Sequence, residues 1–421
     1  MKSATLTING IKIESESGIN LLQAAQNAGI YIPTLCYHPD LPAFKDLTPV
    51  QHIYQGSVKL ETTPAEEYKG CGLCLVDIKG QGIQTACTAA VTDDMIVQTD
   101  TEEVEKLRRQ NLAIILADHP HECLFCPQHE GCDLQQCSMN VPKEERCCPK
   151  FNMCELRKVG EYIGGKFDIA RWKPKNLPIV ENEPLFRRDY NLCIGCTRCV
   201  RACNDLFGAG ALGYISVSGK VSIGMLGPSA IDSGCKFCGA CVEVCPTGAL
   251  SDKDIKWAGR EAALVPCRNA CPVGIDIPRY VDLIAKGKFA EAAAKIREKV
   301  SFPAVLGRVC FHPCEDKCRR KAINDSICIN QLKRFAIGNG DKSPEEKNKA
   351  VRNTGKKVAI IGSGPAGLTA GYYLNRLGHT VNVFEALPVP GGMLRVGIPE
   401  HRLPREILDK EIKDIVHAGV E

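Results

Sequence analysis

Cys193-Ile-Gly-Cys196-Thr-Arg-Cys199-Val-Arg-Ala-Cys203 and Cys235-Lys-Phe-Cys238-Gly-Ala-Cys241-Val-Glu-Val-Cys245-Pro246 repeat one spacing, C-x2-C-x2-C-x3-C, the second copy followed by proline. Three closely spaced thiolates suit one face of a four-iron cubane, and in a doubled run the fourth cysteine of each copy reaches the other cluster. This pairs Cys193, Cys196 and Cys199 with Cys245, and Cys235, Cys238 and Cys241 with Cys203. Zinc takes two C-x2-4-C pairs in place of a triplet plus one, and disulfides need no such regularity.

The run resembles the bacterial two-cluster ferredoxins. Around it lie 421 residues, 25 of them cysteine, 44% hydrophobic, with a formal net charge of +4. That length suits about three or more domains. Cysteines grouped in tight C-x2-C and C-x3-C sets favour metal over disulfide. Because each four-thiolate cluster carries roughly −2, the loaded chain is expected to be net acidic. Basic stripes with interleaved aromatics are absent, which speaks against nucleic acid. The longest apolar runs, such as Ile114-Ile115-Leu116-Ala117, are too short to span a bilayer, and no secretory leader opens the chain, so a cytoplasmic protein is expected.

Upstream, residues 3–13 alternate around Asn9-Gly10, a hairpin signal, and Leu21, Leu22, Ala25 and Ala28 recur at helical spacing before Gly29. A hairpin, a helix and then Cys36 resemble the β-grasp [2Fe-2S] ferredoxins. The resemblance implies Cys36, Cys71, Cys74 and Cys87 as ligands, with glycines letting backbone approach the sulfurs. Residues 39–69, with four prolines, are longer than expected between the first two ligands and read as an inserted loop.

An amphipathic helix over 101–117, with Val104, Leu107, Leu112 and Ile115 inward, leads to His119-Pro-His121-Glu-Cys123-Leu-Phe-Cys126-Pro-Gln-His129-Glu-Gly-Cys132. His-x3-C-x2-C-x5-C resembles the His/Cys3 [4Fe-4S] site of the large iron–sulfur subunit of complex I and of related hydrogenases. It implies His119, Cys123, Cys126 and Cys132 as ligands. Imidazole in place of thiolate removes a negative charge and raises the potential. His121 and His129 miss this spacing and are expected to face solvent. Cys137, Cys147, Cys148 and Cys154 follow, the last in Cys154-Glu-Leu-Arg-Lys-Val-Gly. Either residues 133–153 are an insertion and Cys154 displaces Cys132, or these four cysteines hold an extra cluster.

Residues 166–190, bearing Pro174, Pro178 and Pro184, read as a surface linker, and Gly208-Ala-Gly210-Ala-Leu-Gly213 as loop glycines. Beyond Trp257, Cys267-Arg-Asn-Ala-Cys271-Pro precedes helices near 280–286 and 289–299, then Cys310-Phe-His-Pro-Cys314-Glu-Asp-Lys-Cys318. These phrases resemble the helical iron–sulfur domain of the glutamate synthase small subunit, shared with dihydropyrimidine dehydrogenase. Only Cys267, Cys271, Cys310, Cys314 and Cys318 match, with Cys328 nearby, which implies one cluster there and leaves its fourth ligand open.

After a charged linker, Lys357-Val-Ala-Ile-Ile-Gly362-Ser-Gly364-Pro365-Ala366-Gly367 and Val381-Asn-Val-Phe-Glu385 read strand, glycine turn, helix, strand, acid. Glycines here permit close approach to a pyrophosphate, and Glu385 suits a ribose hydroxyl pair. With Gly391-Gly392-Met and Arg402-Leu-Pro, the stretch resembles the FAD half of the glutamate synthase small-subunit family, implying FAD. A full domain of that type has further strands and an inserted NAD(P)H domain; the expectation is either a shortened product or a partner that completes the fold.

The fold class expected is multidomain α+β and α/β: a [2Fe-2S] β-grasp at 1–100, a His/Cys segment at 101–165, linker and double-cluster ferredoxin at 166–258, a helical iron–sulfur domain at 259–340, and a partial Rossmann-like domain at 341–421. The combined resemblances imply one [2Fe-2S] and four or more [4Fe-4S] clusters. They imply an electron-transfer subunit of an NAD(P)H-linked, anaerobic oxidoreductase, of which an electron-bifurcating complex is one form. Expected partners are an NAD(P)H/FMN iron–sulfur subunit and ferredoxin, a hydrogenase or a formate dehydrogenase. No acid–base or nucleophile constellation is evident. Alternatives are a glutamate-synthase-like electron donor and a scaffold without turnover.

Overall fold

The computed structural model describes residues 3–39, 41, 47–63, 68, 70–126, 128, 132, 137, 139–147, 154–164, 167, 169–217, 219–253, 265–340 and 354–421. The chain divides into two compact units, Met1–Arg260 and Glu261–Glu421.

The first unit opens with β1 (Ser3–Ile8) and β2 (Ile11–Glu16), paired antiparallel through Asn9 and Gly10, both at positive φ as a two-residue hairpin requires. Helix α1 (Leu21–Asn27) is capped by Asn20 Oδ1, which accepts from Gln23 N at 2.8 Å, and it buries Leu21, Leu22, Ala24 and Ala25. With β3 (His52–Gln55) and β4 (Val58–Glu61) standing apart, β5 (Leu75–Ile78), β6 (Gly82–Thr85) and β7 (Met95–Gln98) complete a mixed sheet ordered β2-β1-β7-β5-β6. Its inward face and α1 form one apolar core, including Leu6, Ile8, Val76, Val97 and the thiols Cys74 and Cys87.

Helix α2 (Glu102–Ala117) starts on a Thr101 cap and carries three acids in its first turn, where they favour the helix dipole. Its buried stripe is Val104, Arg108, Leu112 and Leu116, whereas Leu107 and Ile115 are half-buried. Arg108 takes its place in the stripe by donating to Leu75 O at 2.6 Å. Helix α3 (Glu155–Ile163) follows.

Two expectations change here. Part of the stretch at 39–69 is a hairpin, β3–β4, which extends the sheet of β10 (Leu212–Val217) and β11 (Lys220–Met225) in the order β10-β11-β3-β4. The register is close: a Cβ on Gly224 would stand 2.6 Å from Tyr54 O. Likewise, the stretch at 166–190 is not only a surface strap. It supplies β9 (Phe186–Asp189), which pairs with β12 (Leu250–Asp252), and β8 (Ile179–Val180) on the other edge of β9, and it buries Trp172. Between them, α4 (Arg198–Arg201) and α5 (Ala240–Glu243) are short helical turns inside the two cysteine runs. Gly208 and Gly210 lead from a helical turn into β10, the reverse of a strand–turn–helix nucleotide fingerprint.

The second unit begins with helices α6 (Pro266–Ala270), α7 (Ile277–Ala285), α8 (Phe289–Arg297), α9 (Pro303–Val309), α10 (Pro313–Asp316) and α11 (Ile329–Asn339). Tyr280, Ala292, Ile296 and Ala336 centre their core. Next come β13 (Lys357–Ile361), α12 (Pro365–Arg376), β14 (Thr380–Phe384) parallel to β13, α13 (Met393–Val396) and α14 (Arg405–His417). A second core joins α9 to this βαβ element through Phe302, Val305, Leu368, Leu408 and Ile412. Among the described residues no helix is long and apolar enough to cross a membrane.

Candidate iron–sulfur and dinucleotide sites

The repeated spacing folds into two cavities. One is lined by Cys193, Cys196, Cys199 and Cys245, the other by Cys203, Cys235, Cys238 and Cys241. The crossover expected of the fourth cysteines is therefore present in the geometry. Both runs hold positive φ at the same two places, Gly195 and Thr197 in one, Phe237 and Gly239 in the other. Each copy supplies glycine at only one of them, so Thr197 and Phe237 keep a conformation that costs about 1 kcal/mol or more. Those turns aim backbone N–H groups at sulfur: Gly195 N to Cys193 at 3.5 Å, Phe237 N to Cys235 at 3.4 Å, and Ala211 N to Cys203 at 3.2 Å. Burial pushes the thiols of Cys193 up to about 11 and of Cys196 and Cys241 up to about 12. Thiolates in such pockets need a cationic partner. Among the described residues no three His, Cys, Asp or Glu side chains converge as they would on a single metal ion; here four thiols surround a void. Four buried sulfurs around a void fit a [4Fe-4S] cluster.

At the N-terminal end, Cys36, Cys74 and Cys87 are buried and Cys71 half-buried. Cys74 Sγ stands 3.3 Å from Cys87 Sγ, close to the roughly 3.7 Å between two sulfurs on one tetrahedral metal with 2.3 Å bonds. A hydrogen bond from Cys71 holds the Cys36 thiol well below its usual range. Leu35 N donates to Cys71 Sγ at 3.4 Å. Gly70 and Gly72 flank Cys71 at positive φ, and Asn111 from α2 donates to Gly72 O at 2.7 Å, where a Cβ on Gly72 would meet the Asn111 amide at 2.6 Å. Two sulfur pairs on glycine-rich loops fit the two irons of a [2Fe-2S] cluster.

After α2, His119 is buried, with Nδ1 on Pro120 O at 2.8 Å and a buried Nε2 that has no hydrogen-bond partner among the described residues. Burial pushes its pKa down to about 4, which keeps the ring neutral and Nε2 available as a ligand. Cys147 N donates to Cys123 Sγ at 3.4 Å, and Cys147 Sγ approaches Pro120 O at 3.7 Å. This contact with Cys147 lowers the Cys123 thiol to about 6. Cys147 thus reaches the His119–Cys123 neighbourhood, which the His-x3-C-x2-C-x5-C spacing does not indicate. Cys126, Cys132 and Cys137 are half-buried; Cys137 Sγ accepts from Val141 N at 3.3 Å. Cys148 and His129 lie outside the described residues. His121, expected at the surface, is instead buried, its Nδ1 tied to Leu116 O at 2.9 Å and His119 O at 3.0 Å at the end of α2.

These sites share walls. Cys154 Sγ and Glu155 N both reach Pro246 O, beside Cys245, at 3.9 and 3.1 Å. Arg198, between Cys196 and Cys199, pairs with Glu155 at 2.7 Å. Arg201 donates to Cys36 O. The Cys193–Cys245 cavity therefore adjoins both the Cys36 loop and the segment that begins α3.

In the second unit, burial raises Cys267 to about 12 and Cys314 to about 11, with the electrostatic action of neighbouring thiols among Cys267, Cys271, Cys310, Cys314 and Cys318 adding to it. Tyr280 is fully buried beside them and donates to Ile329 O at 2.9 Å, and Lys333 is buried near Cys310 and Cys314. Cys328 is exposed at the start of α11. In the βαβ element, a Cβ on Gly367 would stand 2.0 Å from Gly362 O, so only glycine lets α12 pack there, while the space beside Gly364 is open at the helix N-terminus. Glu385 accepts from Ser363 N at 2.8 Å and from its hydroxyl, and the hydroxyl contact leads in lowering its carboxyl to about 2. Gly391 donates to Ser363 O at 3.1 Å, bringing Gly391-Gly392 against the glycine turn. Pro365 and Ala366 begin α12, and Arg402 lines a separate cavity with Arg308 and Arg334.

Family models match in series: the 2Fe-2S iron–sulfur cluster binding domain at 6–117, the NADH-ubiquinone oxidoreductase-G iron–sulfur binding region at 108–145, and the ferredoxin-like domain of NADH-quinone oxidoreductase subunit 3 at 183–251. The dihydropyrimidine dehydrogenase domain II, 4Fe-4S cluster, matches 255–344, and an NAD(P)-binding Rossmann-like domain 360–404. The chain is 36% identical over 285 residues (59% of the chain) to the NADP(+)-dependent formate dehydrogenase subunit beta of Moorella thermoacetica. It is 45% identical over 161 residues (37% of the chain) to the NADPH-Fe(3+) oxidoreductase subunit beta of Geobacter sulfurreducens, and 37% identical over 156 residues (37% of the chain) to the glutamate synthase [NADPH] small chain of Mycobacterium tuberculosis. These alignments span 39%, 24% and 32% of those proteins' own lengths. The chain thus carries 2Fe-2S and 4Fe-4S cluster-binding domains ahead of a partial Rossmann-like segment, and it is homologous to iron–sulfur electron-transfer proteins of the formate dehydrogenase, NADPH oxidoreductase and glutamate synthase small-subunit kind.

Proposed function

We propose that this chain is an iron–sulfur electron-transfer subunit of a larger NAD(P)H-linked oxidoreductase. The observation that carries the reading is the pair of cavities, each lined by four cysteines with Cys203 and Cys245 crossed over. Bound clusters supply one-electron steps. The chain's own residues hold them, with Cys36, Cys71, Cys74 and Cys87 at a [2Fe-2S] site, and His119, Cys123 and neighbouring thiols at a His-ligated site. The two crossed sets hold two [4Fe-4S] clusters, and Cys267 to Cys318 hold one. Domains follow at 1–100, 101–165, 166–258, 259–340 and 341–421. Because its walls touch both the Cys36 loop and α3, the Cys193–Cys245 site is the junction of the relay. No disulfide joins the described cysteines, and thiolate-held clusters suit a reducing compartment such as the cytoplasm.

Gly362, Gly364, Gly367 and Glu385 hold the pyrophosphate and ribose of a dinucleotide, read as FAD from the Gly391-Gly392 and Arg402 phrases. The partner is a subunit that oxidises or reduces pyridine nucleotide, with formate dehydrogenase, hydrogenase or ferredoxin at the other end. Similarity to formate dehydrogenase subunit beta supports that pairing. A glutamate-synthase-like donor is the second reading, favoured by the C-terminal resemblance alone; the 2Fe-2S and NADH-ubiquinone matches at the N-terminus weigh against it.

The test is reduction of anaerobically purified protein, alone and with its co-purifying partners, by NADH or NADPH. Bleaching of the visible cluster absorption is expected. If neither nucleotide bleaches it in any combination, the electron-transfer role fails and a scaffold remains. Acid-released flavin checks the FAD reading separately.

A further inference from the structure

Arg201 is among the largest fully buried side chains described, with 1% exposure, and it lies inside a cysteine run. Its backbone ends α4, two residues after Cys199 and two before Cys203, so it stands between members of the two crossed sets. Its guanidinium leaves that run and donates to the carbonyl oxygen of Cys36, itself 1% exposed, on the loop of the N-terminal thiol set. Tyr68 lies within electrostatic reach of Cys36, Cys71, Cys196 and the same arginine. A guanidinium stays protonated at any working pH, and in a water-poor wall its charge acts at reduced dielectric.

We propose that Arg201 is a positioning residue that raises the reduction potential of the Cys36-Cys71-Cys74-Cys87 site, holding a fixed positive charge in the wall shared with the Cys193–Cys245 site. The proposal rests on the reading of those four thiols as a [2Fe-2S] site. Taking up one electron adds one negative charge there, with no bond made or broken and no proton required. A buried cation beside the loop therefore stabilises the reduced state more than the oxidised one. The hydrogen bond to Cys36 O also fixes the backbone that presents the Cys36 sulfur.

The test is a dithionite redox titration of the full chain, followed by the [2Fe-2S] electron paramagnetic resonance signal, with iron and labile sulfide measured on the same samples. Arg201→Gln, with its iron retained, is expected to lower the reduced-to-oxidised ratio at a fixed poise about tenfold, a downward midpoint shift of about 59 mV for one electron. Arg201→Lys, which keeps the charge, is expected to titrate near wild type. An iron-replete Arg201→Gln protein with the wild-type midpoint overturns the proposal, as does an Arg201→Lys midpoint displaced as far as that of Arg201→Gln. If Arg201→Gln does not assemble the site, a wild-type midpoint in Arg201→Lys supports the charge role. Loss of the site in both variants reduces Arg201 to a structural tie and overturns the tuning role. Wild-type protein lacking any [2Fe-2S] signal overturns the underlying cluster reading instead.

Discussion

The two units gather their thiols in different ways. In the first, sulfurs that share a cavity come from opposite ends of a doubled run, and the walls between sites are made by residues of those same runs. Arg198 reaches Glu155, Arg201 reaches Cys36, and Pro246 O receives Cys154 and Glu155. Cys123, Cys147 and Cys154 are themselves members of a buried core with Leu35, Leu112 and Leu156. In the second, the thiols lie between Cys267 and Cys318; Cys314 belongs to a helical core with Tyr280, Ala292 and Ile296, Cys267 and Cys271 pack against it, and a second apolar core ties α9 to the βαβ element. Where sites form one another's walls, loss of one propagates; where an apolar core stands behind the site, loss stays local.

The largest effect should therefore come from Cys245→Ala. It removes one ligand of the first cavity and disturbs Pro246, on which the start of α3 and Cys154 depend. Iron per chain should fall by more than the roughly four atoms of one cluster, with reduced stability of the whole first unit. Loss of four or fewer, with the remaining cluster signals unchanged, would break the contrast. Cys314→Ala is the matched experiment. It should cost about four irons and no more, leaving the helical content of the second unit in place because Leu283, Ala292 and Ile296 remain packed. Iron analysis and far-ultraviolet circular dichroism on both variants decide it.

Much of this was legible in sequence because the signals are local. Asn9-Gly10 fixes its hairpin, C-x2-C-x2-C-x3-C fixes which thiols can share a cavity, and Gly367 has to be glycine because Gly362 O leaves no room for a Cβ. What was missed depends on distant partners. The β3–β4 hairpin is identified by its pairing with β11, and Tyr54 meets Met225 far along the chain. His121 is drawn inward by Leu116 O and His119 O, which a ligand spacing does not report. Cys147 reaches Cys123 across a stretch that reads either as an insertion or as the seat of an extra cluster. Arg201 looks in sequence like any charge among cysteines, and only the carbonyl of Cys36 gives it a direction.

The smallest effect concerns how the second unit's two cores are joined, and it is one of pH. Glu411, on α14, is 2% exposed and accepts from Ala304 N at 2.7 Å and Val305 N at 2.9 Å, at the start of α9. Burial raises its carboxyl from the usual 4.5 to about 7, against the lowering pull of those two N–H groups. A carboxyl whose folded pKa lies above its unfolded one is protonated at low pH in both states. Its contribution to stability is complete below about 4.5 and is lost as pH rises through about 7, because the folded state must then hold a buried charge. A shift of this size corresponds to roughly 3 kcal/mol across that window. Denaturant unfolding of the second unit within the full chain should therefore show stability falling from about pH 4.5 to about pH 7, a window set by these two values. Glu411→Gln keeps one oxygen acceptor for the two N–H groups, which donate to separate oxygens in the wild type, and it cannot ionise, so whatever its absolute stability its profile should be flat there. A wild-type profile that is flat or rises over this range would show that the two N–H donors outweigh burial, and that the joint between the cores is held by a carboxylate after all.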